Sequence, residues 1–299
     1  MRDPAAAKPL STLVLGLVCG IATVLFWAFG LVAAKHGIAH GLGPAEIAFH
    51  RTIWAGLVLL PVLATRDGLR DLGGVGWGRG VALTIFGGVP FAMLSSVGFM
   101  LVPLGHGGVI QPSTAALSGI VLSALVLREA LPTTRVAGAL AIVAGLLLMG
   151  WEALSTIGTH GIVGDLTFMG AGLCFGVFAM MLRLWRISPV RAVVIISVLS
   201  LAYVPVHWAL FGFERMLAAG WFENLLQIVV QGLCAGTLST YLFTRTVVLL
   251  GASRAALFPA LVPATTLLIG FLALGDMPSV IQLAGLVVVG VGFRLAMRS

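Results

Sequence analysis

Residues Leu125–Gly145 read LVLREALPTTRVAGALAIVAG, and residues Leu272–Gly292 read LALGDMPSVIQLAGLVVVGVG. A shift of 147 residues lays one over the other. Glu129 then falls on Asp276, Gly138 on Gly285 and Gly145 on Gly292, while Leu125 and Leu127 fall on Leu272 and Leu274. The same shift carries Pro112, in VIQPSTAALSG (Val109–Gly119), onto Pro259, in ALFPALVPATT (Ala256–Thr266). Each copy runs proline, apolar stretch, acid, glycine-containing helix. A single match between apolar segments could arise by chance. The acid and both glycines in one register point to an internal repeat.

The setting of this repeat is lipid. Of 299 residues, 60% are hydrophobic and 9% charged, and the mean hydropathy is +1.12. A soluble domain carries about 25% charged residues, so this supply cannot clothe a water-soluble surface. The chain reads as an all-α integral membrane protein. Apolar runs bounded by charge or Gly/Pro clusters predict ten spans, with cores at 13–34, 46–64, 80–100, 105–127, 135–151, 163–182, 190–211, 224–249, 253–274 and 279–297. The first, Leu13–Ala34, has 22 residues. That is about 33 Å as a helix, too long for a signal-peptide core. With no small-x-small cleavage site after it, it reads as a retained span.

The basic residues give the orientation. With the N-terminus in the cytoplasm, the cytoplasmic gaps hold 14 of the 17 Lys and Arg residues, against Lys35 and Arg215 outside and Arg51 within a span. This bias predicts both termini inside. It also accounts for the net charge of +7 without a nucleic-acid partner. Five helices per copy is an odd number, so the second copy enters the membrane from the opposite side. The expected organisation is residues 1–152 as a first five-helix repeat and 161–299 as a second, inverted one. Many secondary transporters have this architecture, with substrate near the midplane between the halves. Cys19, Cys174 and Cys234 lie in apolar runs with no C-x-x-C or Cys/His spacing, so no disulfide or zinc framework is expected.

Three segments carry a family resemblance. Phe26–Gly37 reads FWAFGLVAAKHG, Ile47–Pro61 reads IAFHRTIWAGLVLLP, and Leu125–Gly145 is the stretch quoted first. They resemble the EamA-type ten-helix permeases of the drug/metabolite transporter superfamily. The first is similar to a Trp-Gly…Lys segment, with Ala28 in place of Gly and the lysine at Lys35. The second is similar to a Phe-x-Arg pattern, at Phe49 and Arg51. The third resembles the Gly-Glu-x-Leu…Gly ending of each repeat, with Arg128 in place of Gly. The resemblance covers essentially the whole chain and is strongest to YddG-type exporters of aromatic and other amino acids. It implies export of small metabolites by alternating access.

Within that frame, several residues are candidates for a substrate cavity. Pro112 and Pro259 remove backbone hydrogen bonds inside spans, and the carbonyls they free must meet neighbours or line a wet cavity. Gln111 beside Pro112 can donate and accept at once, which suits a zwitterion. Ser113 and Phe258 flank the two prolines. Ser95, Ser96 and Phe99 in the third span, and Thr237, Ser239, Thr240 and Tyr241 in the eighth, offer hydroxyls beside aromatic faces. Serine and threonine often return that hydrogen bond to the preceding turn instead. Trp27, Phe175 and Phe178 lie mid-span in the matching first helices of the two copies, where an aromatic pocket wall competes with plain packing.

Arg51 is the clearest intramembrane charge. With Glu46 and His50 it forms a candidate gate or structural ion pair. His36 and His40 are spaced i, i+4, but Gly37 and Gly41 assign them to a loop; two histidines without a third ligand make a weak metal hint, and surface histidines are the expectation. The pairs Gly16/Gly20, Gly172/Gly176 and Gly232/Gly236 suit close helix packing, within the monomer or, as the alternative, in a dimer.

The composite expectation is a bacterial inner-membrane exporter of small metabolites, amino acids including aromatic ones. It needs no cofactor or metal and acts through a largely apolar central cavity. Export of drug- or nucleobase-like molecules is the alternative, ahead of a channel. An enzyme is disfavoured, because no G-x-S-x-G, H-E-x-x-H or deep aspartate pair is present. Nine of the ten acids sit at span ends or in loops, and Asp165 lies just inside the sixth span. Flux is therefore expected to follow the substrate gradient without obligatory proton coupling.

Overall fold

The computed structural model describes residues 10–64, 66–102, 104–128, 131–151, 162–265 and 279–297. Among these residues every regular element is a helix. The first part holds α1 (Leu10–Ala39), α2 (Pro44–Leu63), the short α3 (Arg66–Asp71), α4 (Trp77–Gly87), α5 (Val89–Leu101), α6 (Leu104–Leu125) and α7 (Thr133–Met149). The second holds α8 (Ile162–Leu184), α9 (Pro189–Ser200), α10 (Tyr203–Phe211) and α11 (Glu214–Gln227). A π-helical segment (Ile228–Leu238), α12 (Ser239–Leu250), α13 (Ala252–Ala255), a 3-10 turn (Phe258–Ala260) and α14 (Val280–Met297) follow. Among the described residues seven helices, counting α4–α5, α9–α10 and α11–α12 as one each, are long and apolar enough to cross a membrane. Val109–Leu125 and Thr133–Met149 are shorter apolar helices. Large apolar side chains such as Val58, Trp208, Trp221 and Val287 are exposed on outward faces, where lipid is the fitting solvent.

The glycines that define the 147-residue register meet in space. A Cβ on Gly138 would lie 2.6 Å from the Gly292 carbonyl oxygen, and one on Gly292 would lie 2.7 Å from that of Gly138. Gly145 and Gly285 repeat the relation at 2.8 and 2.7 Å. Helices α7 and α14 are therefore antiparallel and in backbone contact, which only residues without a side chain permit. The other contacts follow the same exchange. Helix α1 packs on α12 as α5 packs on α8, and α2 packs on α9.

All three G-x-x-x-G pairs make contacts inside the chain. Gly172 of α8 faces the Gln111 carbonyl and Thr114 of α6, and Gly176 faces Ser118. Gly232 and Gly236 face the His50 and Arg51 carbonyls of α2, while Gly16 and Gly20 of α1 face Leu250 and Phe258.

Several boundaries differ from the sequence pattern for physical reasons. Helix α1 runs past Gly37 to Ala39, so His36 is helical and not in a loop. Gly37 is held by close contact with Gln227 and Ile47, and tertiary packing overrides its weak helix propensity. The third span is broken at Gly88, between α4 and α5. The eighth begins ten residues before its predicted core, with Gly220 at φ 83° and ψ 168° turning the chain inside α11.

The matched prolines behave differently. Pro112 sits within the continuous helix α6. Around Pro259 the helix gives way to α13, the 3-10 turn and helical residues 261–265. Pro263 falls on Ala116 in the register. Two prolines four residues apart leave the carbonyls of Ala255 and Pro259 without their helical donors, where α6 loses only one. Glu129, Asp276 and the predicted span residues 266–274 lie outside the described residues.

Candidate functional site

The broken helices surround one cavity. Gly88, at the α4–α5 break, and Ser200, at the end of α9, border it together with Gly236 and Thr237 of the π segment. The register places Gly88 on Ala235, inside that π segment. Matching helices are thus irregular at matching positions, and both irregularities face the cavity. A π segment widens a helix by one residue per turn and often marks a functional position. Here the Thr237 hydroxyl donates to the Gly232 carbonyl five residues back, at 2.8 Å.

One wall of the cavity is aromatic. Phe175 of α8 meets Trp27 of α1 edge-on at 5.2 Å, Phe243 of α12 at 4.5 Å and Phe91 of α5 at 5.8 Å. Phe178 stacks on Phe243 at 6.2 Å. Such pairs add roughly 0.5–1.5 kcal/mol each beyond the area they bury. Trp27 is further held by its indole N–H, which donates to Ser239 Oγ at 3.0 Å. The Ser239 hydroxyl in turn donates to the Ala235 carbonyl.

The rest of the lining includes polar groups. Thr52, Ser200 and Thr240 are among them and return their hydroxyl protons to the carbonyls of Ala48, Ile196 and Gly236. Their lone pairs remain for a ligand. Arg51 brings the donors. Its Nη1 reaches Gln231 Oε1 at 3.4 Å, and no ion pair neutralises it among the described residues. Gln231 is itself buried and donates to the Gly30 carbonyl at 2.7 Å. The cavity volume is about 40 Å³, room for a few waters. Sites for small molecules are typically several hundred Å³, so the helices must separate to admit one.

Of the residues singled out in the sequence, Trp27, Arg51, Phe175, Phe178 and Thr237 border this cavity. Gln111 stands apart from it and accepts from the Ser95 hydroxyl at 3.2 Å. Ser96 is buried, and Phe99 packs edge-on against Phe168 at 5.0 Å. Pro112 is buried; Ser113 and Tyr241 are half-buried. Phe258 is fully buried against Phe293 at 5.1 Å, with Pro259 beside it half-buried. Glu46 does not pair with Arg51. Its Oε2 accepts from the Gly43 N–H at 2.8 Å and caps α2.

His50 is fully buried with both ring nitrogens engaged. Trp54 Nε1–H donates to Nδ1 at 2.9 Å, and Nε2 lies 3.1 Å from Asn224 Oδ1. The Asn224 amide N–H groups go to the Met216 and Gly220 carbonyls, each at 2.6 Å. Indole can only donate, and the Asn224 amide is oriented by two carbonyls. The ring is therefore neutral and carries its proton on Nε2.

Sequence reasoning passed over Phe91, Phe243 and Gln231, whereas Thr240, named with its neighbours in the eighth span, does border the cavity. An aromatic residue in an apolar span carries no mark of facing a cavity. Gln231 and Gln227 did carry a signal, as amides inside a hydrophobic run.

A family model described as "EamA-like transporter family" matches the chain twice, over residues 14–151 and 162–298. No curated protein matches. A solved structure described as "Crystal structure of protein" is similar at 18% identity with a TM-score of 0.70, over 94% of this chain and 96% of that one. At that identity the likeness speaks for the fold alone. The family match takes in α1–α7 and α8–α14 in turn, together with the apolar helices that suit a multi-pass membrane protein. The chain belongs to the EamA-like transporter family, membrane transporters of small molecules.

Proposed function

We propose that this transporter exports amino acids, aromatic ones among them, by alternating access between two inverted five-helix halves, residues 1–152 and 161–299. The observation that carries the reading is the pairing of aromatic and cationic groups in the cavity lining. An aromatic cluster centred on Phe175 shares the cavity lining with Arg51, a cation with no carboxylate partner among the described residues. A carboxylate matches the guanidinium fork, and an apolar or aromatic side chain matches the rings. The reciprocal glycine contacts of α7 and α14 support two halves related by exchange. Ten spans with both termini in the cytoplasm fit the distribution of basic residues.

The test is counterflow in proteoliposomes loaded with a panel of amino acids and, separately, nucleobases. Exchange of phenylalanine, tryptophan or leucine is expected, lost in Arg51→Met. Absence of flux for every amino acid, or flux of nucleobases alone, overturns the reading.

A further inference from the structure

A second polar cluster lies at the end of α1, away from the cavity. His36 stands in the last turn of α1 and His40 one turn on, their rings stacked with centroids 4.1 Å apart. His40 Nδ1 lies 2.8 Å from the His36 carbonyl oxygen. A carbonyl only accepts, so Nδ1 holds the proton and Nε2 keeps its lone pair. Histidines that bind metals are set up in this way, with the other ring N–H fixed by a carbonyl or carboxylate.

The third member comes from the other half of the chain. Glu223 of α11 is 3% exposed and reaches the same point. Its Oε1 accepts from Gln227 at 2.7 Å, and Gln227 is anchored on the Ala33 carbonyl at 2.7 Å. The carboxylate is therefore held in place from α1 itself. Its Oε2 lies 2.8 Å from His36 Nδ1 yet receives no aligned hydrogen bond among the described residues. A buried carboxylate oxygen held by one ion-pair contact and no aligned hydrogen bond is under-satisfied. One donor atom from each of His36, His40 and Glu223 lies within 4.8 Å of the others. A tetrahedral ion with bonds of roughly 2.0–2.1 Å holds its ligand atoms about 3.3 Å apart. The three atoms, all within 4.8 Å of one another, lie near that spacing.

We propose that His36, His40 and Glu223 form a site for a transition-metal dication of the Zn2+ class, which ties the end of α1 to α11. Two imidazoles and one carboxylate suit zinc, cobalt or nickel. Magnesium and calcium prefer sets made of oxygen atoms. Three protein ligands leave a fourth position for water. The ion joins a residue pair from the first family match to a residue of the second, so it restrains any movement that parts them. That consequence rests on the transport reading; the site does not.

The decisive experiment titrates the purified full chain, free of any polyhistidine tag, with Zn2+ by calorimetry and with Co2+ by visible absorption. One ion per chain is expected, with the absorption of tetrahedral Co2+. His40→Ala, at an exposed position, should weaken binding about tenfold or more while its melt in chelator stays that of the parent. Glu223→Gln keeps the size of the side chain and should weaken binding as well. Absence of stoichiometric uptake, or equal affinity in either variant, overturns the site. In proteoliposomes Zn2+ should slow flux of the parent and not of His40→Ala. Equal slowing of both overturns the restraint, and failure of all flux leaves the binding result to stand alone.

Discussion

Trp27 donates its indole N–H to Ser239 at 3.0 Å, and this bond joins α1 to α12 at the edge of the cavity. A tryptophan in the middle of a span is thereby accounted for by a partner rather than by an interface. Trp27→Phe keeps the ring contact with Phe175 and removes the bond. It should cost about 1 kcal/mol, read as a lower Tm in detergent. Trp27→Ala also empties the aromatic wall and should cost about 3–5 kcal/mol. If the two variants melt together, the hydrogen bond and not the ring carries the stability.

The α7–α14 contact predicts a matched pair of effects. Gly138→Ala would place a methyl group 2.5 Å from the Ala296 amide nitrogen, and Gly285→Ala one 2.7 Å from the Gly145 carbonyl oxygen. Backbone cannot move aside as a side chain can, so each should destabilise by about 1–3 kcal/mol. Gly290 on α14 has nothing within 4 Å of its missing Cβ, and Gly290→Ala should leave the melt unchanged. Survival of the monodisperse size-exclusion peak after heating separates the three.

These glycines also mark how far the sequence could be read. Their register, apolar periodicity and three G-x-x-x-G pairs were visible because each is a pattern within a segment, and the same residues make the helix contacts. The cavity was less legible. Phe243 and Phe91 look like any apolar residue until α8 brings Phe175 against them. The π segment at Ile228–Leu238 is announced by no residue in it. Glu223 became a neighbour of His36 only through folding, since 187 positions separate them. Gln111, the most polar residue of its run, finds Ser95 on the adjacent helix, an outcome that its sequence context did not distinguish from contact with a ligand.

The His50–Asn224 bond predicts a measurable coupling. His50 is buried with both nitrogens engaged, and Asn224 closes the break at Gly220. Either His50→Ala or Asn224→Ala leaves a buried polar partner unmatched. A double-mutant cycle should return an interaction of about 0.5–3 kcal/mol. A coupling of zero would mean that the two side chains act independently on α2 and α11.

The last prediction concerns protons. His106 Nδ1 and Asp165 Oδ1 lie 2.8 Å apart in a buried pair between α6 and α8. Asp165 is near the start of its helix, as the sequence indicates, yet it is enclosed rather than solvated. Its Oδ2 is buried without a hydrogen bond among the described residues. Asp165→Leu alone removes a buried hydrogen-bond partner of the imidazole and should destabilise by about 1–3 kcal/mol. Replacing His106 and Asp165 together by leucine should recover part of that loss, because two apolar groups desolvate more cheaply than half a polar pair. A pair that serves structure alone predicts one further result. In proteoliposomes, an imposed pH gradient should drive no uphill accumulation of an amino acid, and the stable double variant should keep its counterflow. Uphill flux in the parent, lost in the double variant, would make this pair a proton-coupling site instead.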